Sequence, residues 1–383
     1  MNNKIYTYGK QTITAADIKA VVKVLKSDFL TQGPAVQAFE EAICAYTGAS
    51  FAVAVANGTA ALHLAALAAG VAEGVEAITS PITFVASSNC VLYCGGTVNF
   101  ADIESDTACI DPLEIERQIT DRTKVLIPVH FAGQPCDMEQ IALIARKHNL
   151  TVIEDAAHAI GTSYKGSKTG DCTYSDMTIF SFHPVKTITT GEGGVITTND
   201  EKLYKKLTLL RTHGITKDQT ELTRNDGPWY YEMHLLGYNY RMSDIQAALG
   251  ISQLQRLEEF VTRRREIVEM YHDQLTGDDR FGFLRERDGA VSAFHLCPLI
   301  INFNIVKKNK TLIFNELKEA GLHLQVHYIP VHMQPYYQNM GFRRGEYPRA
   351  EAYYDSAVSL PLYPLLKDSD IKRIVKIVRK VIR

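Results

Sequence analysis

The chain has 383 residues, of which 46% are hydrophobic and 22% charged, a composition typical of a globular protein with a large core. Its 41 Lys and Arg residues nearly balance 43 Asp and Glu residues, so no positive field is available to hold nucleic acid or an anionic membrane. Seven scattered cysteines with no CxxC pair favour reduced thiols over a disulfide framework or a zinc site. The amino-terminal stretch shows no secretory signal, and we predict a cytoplasmic protein.

Helical and strand patterns alternate from residue 14 to about residue 200, which predicts an α/β domain with a mainly parallel sheet. One uncharged stretch, 51–72, is long enough to cross a bilayer, but the turn sequence Asn57-Gly58-Thr59 divides it into a strand and a helix. In chain order the predicted elements are helices 14–27 and 34–48, strand 51–55, helix 59–70, strand 96–100, helix 111–119, strand 124–131, helix 138–149, and strands 151–155, 177–182 and 193–198.

A second region follows. One long helical run is predicted from Met242-Ser243-Asp244 to about residue 273, long enough to connect two domains. Beyond it come a predicted strand at 295–303 and predicted helices at 309–321 and 370–383. We therefore predict a large domain over residues 14–250 and a smaller α+β domain over residues 251–383, completed by residues 1–13.

Chemistry-bearing residues follow three of the predicted strands, where open α/β sheets bind ligands. The turn Gly58-Thr59-Ala60 opens a helix whose free amides suit a phosphate, although alone it is equally typical of an ordinary helix cap. Asp155 ends an apolar strand, and Lys186 follows another in a loop rich in Pro and Gly. Singly, Asp155 could cap the next segment and Lys186 could be a solvated surface lysine.

Jointly, these residues match the needs of pyridoxal 5′-phosphate. Its ring nitrogen must stay protonated, which requires an anion such as Asp155. Its aldehyde must be held by a lysine of lowered pKa that can also carry protons, a role that Lys186 can take. The phosphate needs uncharged donors, which the amides of Gly58, Thr59 and Ala60 and the hydroxyl of Ser181 can supply.

Five motifs resemble those of the DegT-like sugar-nucleotide aminotransferases, and they occur in the same order: NGTAALHLA, TSPITFVASSN, EDAAHAIGTSYKG, SFHPVKTITTGEGG and GYNYRMSDIQAALG. The resemblance implies a pyridoxal-phosphate-dependent transferase of fold type I and a homodimer with active sites at the subunit interface. It implies that Lys186 bonds covalently to the cofactor, that Asp155 faces the pyridine nitrogen, that His158 lies beside the ring and that Phe84 stacks on it. Asn239 would reach the phosphate of the partner subunit's site.

Within the family, the segments LTQG near Thr31 and QVHYIP near His327 are most similar to members that act in pseudaminic acid synthesis. This similarity implies L-glutamate as amino donor and a UDP-linked 2-acetamido-2,6-dideoxy 4-keto hexose as acceptor. Thr31, Gln32, His327 and Tyr328 would then contact the nucleotide sugar. No metal site is predicted, because His323 and His327 lack identifiable further ligands.

Two other interpretations stay open at this point. The same chemistry could act on another nucleotide keto sugar, of the perosamine or bacillosamine type. The chain could instead be a non-catalytic cofactor-binding regulator, although such a protein needs neither Lys186 nor Asp155 and the sequence carries no added basic module. A nicotinamide dehydrogenase is disfavoured because no GxGxxG motif follows an early strand.

Overall fold

The structure of the protein is a computed structural model that describes residues 4–383. Residues 1–3, which the sequence assigns to the smaller domain, lie outside the described residues. The helices are α1 Ala15–Leu25, α2 Pro34–Thr47, α3 Gly58–Ala68, α4 Ala86–Tyr93, α5 Pro112–Gln118, α6 Met138–His148, α7 Glu201–Arg211, α8 Asp244–Leu254, α9 Leu257–Leu275, α10 Lys310–Glu319, α11 Pro335–Asn339, α12 Pro348–Ser356 and α13 Asp368–Val381.

The strands are shorter on average than the helices, and several consist of two residues. They are β1 Tyr6–Thr7, β2 Phe51–Val55, β3 Glu76–Thr79, β4 Thr97–Phe100, β5 Thr123–Ile127, β6 Thr151–Asp155, β7 Ser163–Tyr164, β8 Ser167–Lys168, β9 Met177–Ser181, β10 Gly194–Thr198, β11 Ile215–Thr216, β12 Glu232–Met233, β13 Phe281–Phe283, β14 Ala290–Val291, β15 Cys297–Ile301, β16 Leu322–His323 and β17 Ala357–Leu360.

A seven-stranded sheet in the order β2-β10-β9-β6-β5-β3-β4 forms the centre of the large domain. The strands β9, β6, β5, β3 and β4 pair in parallel, and β10 alone runs antiparallel to its neighbours β2 and β9. Helices cover both faces, as expected for a parallel sheet. The predicted α/β class with a mainly parallel central sheet is confirmed.

Alternation along the strands explains how both faces are buried. In β2, Val53 and Val55 pack into one core cluster, whereas Ala52 and Ala54 pack into the cluster on the opposite face. Successive strand residues point to opposite sides of a sheet, so a strand covered on both faces is apolar throughout. This is the pattern that FAVAV shows.

The smaller region contains the antiparallel sheet β13-β15-β17, packed against α9, α10 and α13. The amino-terminal strand β1 joins this region by pairing in parallel with β16. Helix α9 serves two cores: Phe260 packs with the large domain, and Tyr271 packs with the C-terminal cluster. The division into 14–250 and 251–383 stays a prediction. Within residues 4–383, no helix combines the length and the apolarity that a bilayer span needs.

Two local expectations differ from the structure. The predicted long helical run is two helices, because the backbone at Arg256 leaves helical values (φ −111°, ψ 8°) between α8 and α9. Helix α7 is also absent from the predicted elements, and so are strand β3 and helix α4. β3 has only four residues and α4 only eight, too few for an apolar period to stand out.

Candidate active site

Three loops that follow strands meet at one edge of the central sheet. β2 ends at Val55, β6 at Asp155 and β9 at Ser181. β6 and β9 are parallel, and β10 is antiparallel to both β9 and β2, so β2, β6 and β9 all run in the same direction. Their carboxyl ends therefore lie on the same side of the sheet, where ligands bind in open α/β folds.

The turn before α3 forms a small-residue cradle against the end of β9. A Cβ atom added to Gly58 would lie 2.8 Å from Ser181 Cβ and 3.0 Å from its Oγ, so only glycine allows this approach. Asn57 caps the helix by accepting the amide of Ala60 at 2.8 Å. The amides of Gly58 and Thr59 head the helix, where no intrahelical acceptor exists. These two amides and the Ser181 hydroxyl suit a phosphate, whereas the Ala60 amide is engaged by the cap.

Asp155 is held rigidly at the end of β6. Its side chain is buried, with 4% of the residue exposed. Oδ2 accepts the hydroxyl of Ser87 at 2.6 Å, and Oδ1 accepts the amide of Ala157 at 3.1 Å. A carboxylate offers about four lone-pair directions, so further acceptor capacity remains for a protonated ring nitrogen.

Lys186 lies in the loop between β9 and β10. The loop is closed by bonds from the Phe182 amide to Gly193 O (2.9 Å) and from the Lys186 amide to His183 O (2.9 Å). Burial lowers the pKa of the Lys186 ammonium to about 8, although the charge on Asp155 opposes this shift. At pH 7 a lysine with this pKa is the free amine, its nucleophilic form, about a tenth of the time, far more often than an ordinary lysine.

His158 is neutral, and its tautomer follows from its contacts. Burial, with smaller contributions from Lys186 and His327, lowers the pKa of His158 well below its usual value. The amide of Ala132 donates to Nδ1 at 3.3 Å, so in the neutral ring the proton is on Nε2. Nε2 therefore donates to the hydroxyl of Tyr328 at 3.1 Å. This places the imidazole and the phenol in one fixed arrangement.

Two further histidines, His327 and His295, lie next to His158 and Tyr328. His327 contacts Ser359 Oγ through Nδ1 at 2.8 Å, and burial and then the charge of Lys186 lower its pKa to about 4. The ring centroid of His295 lies 4.4 Å from that of His158. Burial, followed by the charges around it, lowers the pKa of His295 well below its usual value. The cluster therefore adds no positive charge to that of Lys186 at neutral pH.

Phe84 is the exposed aromatic of this region, with 58% of its surface accessible. Its ring centroid lies 6.2 Å from that of Tyr328, and α4 begins two residues later. A large apolar side chain left exposed beside a cluster of polar groups indicates a surface that a ligand covers. A flat aromatic cofactor has the shape for such a surface.

The structure brings together only some of the residues predicted from the sequence. Lys186, Asp155, His158, Phe84, His327 and Tyr328 are linked by the contacts and charge interactions given above. Thr31 pairs with Ser243, and Gln32 lines a separate cavity of about 320 Å³ with Arg211 and Arg241. Asn239 is exposed and pairs with Thr212, which lines that same cavity.

Sequence reasoning missed Ser87, His295 and Tyr8 as residues of this region. The ring of Tyr8 lies 4.8 Å from that of His327, which brings the amino-terminal segment to the site. Ser87 falls within the motif TSPITFVASSN and could have been singled out there. His295 and Tyr8 carry no signal in the sequence, because nothing in their neighbourhoods indicates which distant element they contact.

Comparison with known proteins agrees with this geometry. The profile described as the DegT/DnrJ/EryC1/StrS aminotransferase family matches residues 11–379. The chain belongs to this family. Members of the DegT family are aminotransferases that depend on pyridoxal 5′-phosphate, so the family, enzyme class and cofactor predicted from the sequence are confirmed.

Curated relatives extend over the whole chain. The spore coat polysaccharide biosynthesis protein SpsC of Bacillus subtilis is 40% identical over 383 residues, which cover 100% of this chain and 98% of SpsC. The UDP-4-amino-4,6-dideoxy-N-acetyl-beta-L-altrosamine transaminase of Campylobacter jejuni is 38% identical over 371 residues, which cover 96% of this chain and 94% of the transaminase.

Solved structures share the fold over the same length. Helicobacter pylori PseC, an aminotransferase involved in the biosynthesis of pseudoaminic acid, superposes with a TM-score of 0.92 at 33% identity, and the match covers 99% of each chain. The PLP form of Spr1654 from Streptococcus pneumoniae superposes with a TM-score of 0.91 at 32% identity, covering 98% of this chain and 99% of Spr1654. The DegT-family chain described here is thus a sugar aminotransferase.

Proposed function

We propose that this enzyme transfers an amino group from L-glutamate to the keto carbon of a nucleotide-linked 4-keto-6-deoxy sugar. The observation that carries the proposal is the pairing of Lys186, whose pKa is lowered to about 8, with the buried carboxylate Asp155 at the ends of neighbouring strands. A free amine and a fixed anion side by side are what amino-group transfer through pyridoxal phosphate requires.

Each residue of the site has a distinct task in this proposal. Bound pyridoxal phosphate supplies the electron sink for the reaction. Lys186 bonds covalently to the cofactor and moves protons at Nζ, and Asp155 accepts a hydrogen bond from the protonated pyridine nitrogen. His158 lies beside the ring, and Phe84 packs on its face. The phosphate is held by Gly58, Thr59, Ala60 and Ser181.

The amide of Ala60 can donate a hydrogen bond to the phosphate only if it gives up its hydrogen bond to the Asn57 side chain. The Asn57 carboxamide accepts this amide at 2.8 Å in the structure. A phosphate oxygen is a stronger acceptor than an amide oxygen because it carries charge, so the exchange is favourable. Gly58 and Thr59 need no such exchange, and they form the first part of the phosphate site.

For the acceptor, we propose UDP-2-acetamido-2,6-dideoxy-β-L-arabino-hexos-4-ulose. Support comes from the Campylobacter jejuni relative, named for a UDP-linked amino sugar, and from Helicobacter pylori PseC, which acts in pseudoaminic acid biosynthesis. His327 and Tyr328 lie at the Lys186 site and are proposed to contact the sugar. Thr31 and Gln32 lie in another part of the same chain, away from Lys186. We propose that they contact the nucleotide sugar at that position.

A second acceptor class stays open beside this one. SpsC of Bacillus subtilis, a spore coat polysaccharide biosynthesis protein, is 40% identical to the chain, slightly more than the Campylobacter jejuni transaminase at 38%, and its name specifies no sugar. The same chemistry on a perosamine-type or bacillosamine-type keto sugar is the alternative proposal. The regulatory interpretation has less support, because the chain belongs to an aminotransferase family and retains both Lys186 and Asp155.

We further propose a homodimer in which Asn239 reaches the cofactor phosphate of the partner subunit. The exposure of Asn239 supports this role, because its side chain is available to a second copy. No nucleic acid or membrane partner is proposed. The cytoplasmic location stays a prediction from the unpaired cysteines at seven positions, all within the described residues.

The decisive experiment follows the visible absorption of the protein loaded with pyridoxal phosphate. We expect L-glutamate to bleach the band and the UDP-linked 2-acetamido keto sugar to restore it. UDP-, GDP- and dTDP-linked 4-keto-6-deoxy sugars are then compared at equal concentration. A band that glutamate leaves unchanged would contradict the amino donor, and faster recovery with a GDP- or dTDP-linked sugar would contradict the acceptor. The Lys186→Ala variant is the control that forms no covalently bound cofactor.

A further inference from the structure

We infer that Ser87 is a positioning residue for Asp155, and that it holds the carboxylate in the orientation needed to accept a hydrogen bond from the protonated pyridine nitrogen. The inference rests on the proposed role of Asp155. It adds a residue from α4, a helix that provides no other side chain to the cofactor site described above. Ser87 acts through Asp155 and does not itself touch the cofactor.

The hydrogen bond between the side chains of Ser87 and Asp155 is short and shielded from water. Ser87 Oγ lies 2.6 Å from Asp155 Oδ2, and the two residues are separated by 68 positions along the chain. Ser87 is 1% exposed and Asp155 is 4% exposed. A hydrogen bond to an ionised group that is shielded from water is about twice as strong as one between neutral groups.

The number of available hydroxyl protons determines which group donates in this hydrogen bond. Ser87 has one hydroxyl proton, and its oxygen also lies 2.6 Å from Thr83 Oγ1 and 3.3 Å from the Phe84 carbonyl. An ionised carboxylate can only accept, so the Ser87 proton goes to Asp155. Thr83 must then donate to Ser87. The result is a one-way chain from the Thr83 hydroxyl through Ser87 to Asp155, and donors arranged in series strengthen one another.

The chain controls the geometry of the carboxylate. Ser87 holds Oδ2 while the Ala157 amide holds Oδ1, so rotation of the carboxylate about its χ2 angle is restrained from both sides. The remaining acceptor capacity of Asp155 then points in one direction. Without Ser87, one restraint is lost and a buried oxygen loses its donor.

The same short segment also carries the proposed ring-stacking residue. Thr83 and Phe84 lie just before α4 and Ser87 lies in its first turn, so the three residues fall within five consecutive positions. One short segment therefore positions both Phe84, which is proposed to stack on the cofactor ring, and Ser87, which holds the Asp155 carboxylate. A small shift of this segment would move Phe84 and Ser87 together. The position of the cofactor ring and that of the Asp155 carboxylate are therefore coupled.

The test compares Ser87→Ala with Ser88→Ala in the full-length protein. Ser88 is the neighbouring residue, is fully buried, donates to Val85 O at 3.0 Å and accepts from Tyr337, and has no contact with Asp155. We measure the dissociation constant of pyridoxal phosphate from the apoprotein and the induced circular dichroism of the bound cofactor, which reports ring orientation. For Ser87→Ala we expect about tenfold weaker binding and a reduced induced signal. For Ser88→Ala we expect both readouts to match wild type.

Two further variants keep the outcome interpretable. Ser87→Cys keeps a side chain of similar size but donates weakly, so its readouts should fall between those of wild type and Ser87→Ala. Asp155→Asn separates the inference from the proposal beneath it. If Asp155→Asn changes the induced signal and Ser87→Ala does not, the positioning role is wrong. If neither substitution changes the signal, the proposed role of Asp155 is itself wrong and the inference falls with it.

Discussion

His158 and Tyr328 are joined by a 3.1 Å contact between Nε2 and the phenol oxygen, with their rings only 21° from parallel. The two residues are 170 positions apart, His158 just after β6 and Tyr328 in the segment after β16. Because Ala132 occupies Nδ1, the imidazole donates and the phenol accepts. The Tyr328 proton is therefore free to point into the site, toward the cofactor or the sugar.

Replacing Tyr328 by Phe should reduce kcat about tenfold, because the Nε2 proton of His158 would lose its acceptor and the site would lose a donor. The effect is measured by steady-state kinetics with the preferred keto sugar. Tyr353→Phe is the control, since its hydroxyl is buried and donates to the backbone carbonyl of His327 at 3.0 Å, so that it has a hydrogen bond to lose but no contact with His158 Nε2. Equal losses in the two variants would show that the Tyr328 hydroxyl has only a packing role.

Lys186→Ala should remove turnover entirely while the protein stays folded, because no other amine is proposed to bond to the cofactor. Lys310→Ala provides the comparison. Burial also lowers the pKa of Lys310 to about 8, but its ammonium bonds to the Tyr354 carbonyl, away from the site. We expect Lys310→Ala to retain the activity of wild type. Multiple turnovers by Lys186→Ala would refute the assignment of the lysine.

The rate at which the apoprotein takes up the cofactor covalently should rise with pH through about 8. The neutral amine of Lys186 is the reactive form, and its pKa is lowered to about 8 by burial. The charge of Asp155 raises that pKa, so Asp155→Asn should move the midpoint of the pH profile to a lower value. Stopped-flow absorbance from pH 6 to 10 measures both profiles, and a midpoint that stays in place or rises would contradict the predicted proximity of the two groups.

Mixing two inactive variants tests whether Asn239 acts across the dimer. In a heterodimer of Lys186→Ala and Asn239→Ala subunits, each site is built across the interface. One of the two sites then combines the intact Lys186 of one subunit with the intact Asn239 of the other. Equal mixing with subunit exchange should then restore about a quarter of wild-type activity per subunit, since about half of the dimers are mixed and each has one good site. If Asn239 serves its own subunit, the mixture stays as inactive as its components, and this result would sink the proposed arrangement.

Much of the large domain is predictable because its signals are local. The strand and helix around Asn57 are adjacent in sequence, and the turn between them appears as a short polar break in an apolar stretch. Asp155 ends one strand and Lys186 lies in the loop after another, so the rule that strand ends form the site places both without knowledge of the sheet order. The cofactor and reaction class follow from these neighbours and from the family motifs.

Short or interrupted elements escaped prediction for an equally local reason. Strand β3 consists of four residues, which is only two periods of alternation and too short to give a signal of its own. The break between α8 and α9 involves only Gln255 and Arg256, both of which are compatible with a continuous helix by propensity. Tertiary packing decided these details.

The sequence by itself determined the fold class, the family and the cofactor, and it singled out the lysine and the carboxylate proposed to serve that cofactor, because each of these is recorded in a contiguous segment. Only the tertiary structure decided that Ser87 donates to Asp155, that the ring of His295 packs against that of His158, and that Thr31 and Gln32 lie away from Lys186 within one chain. A periodic pattern reports which face of an element is buried but not which distant element covers it. Hydrogen bonds across 68 or 170 positions therefore become visible only when the order of the strands brings their residues together.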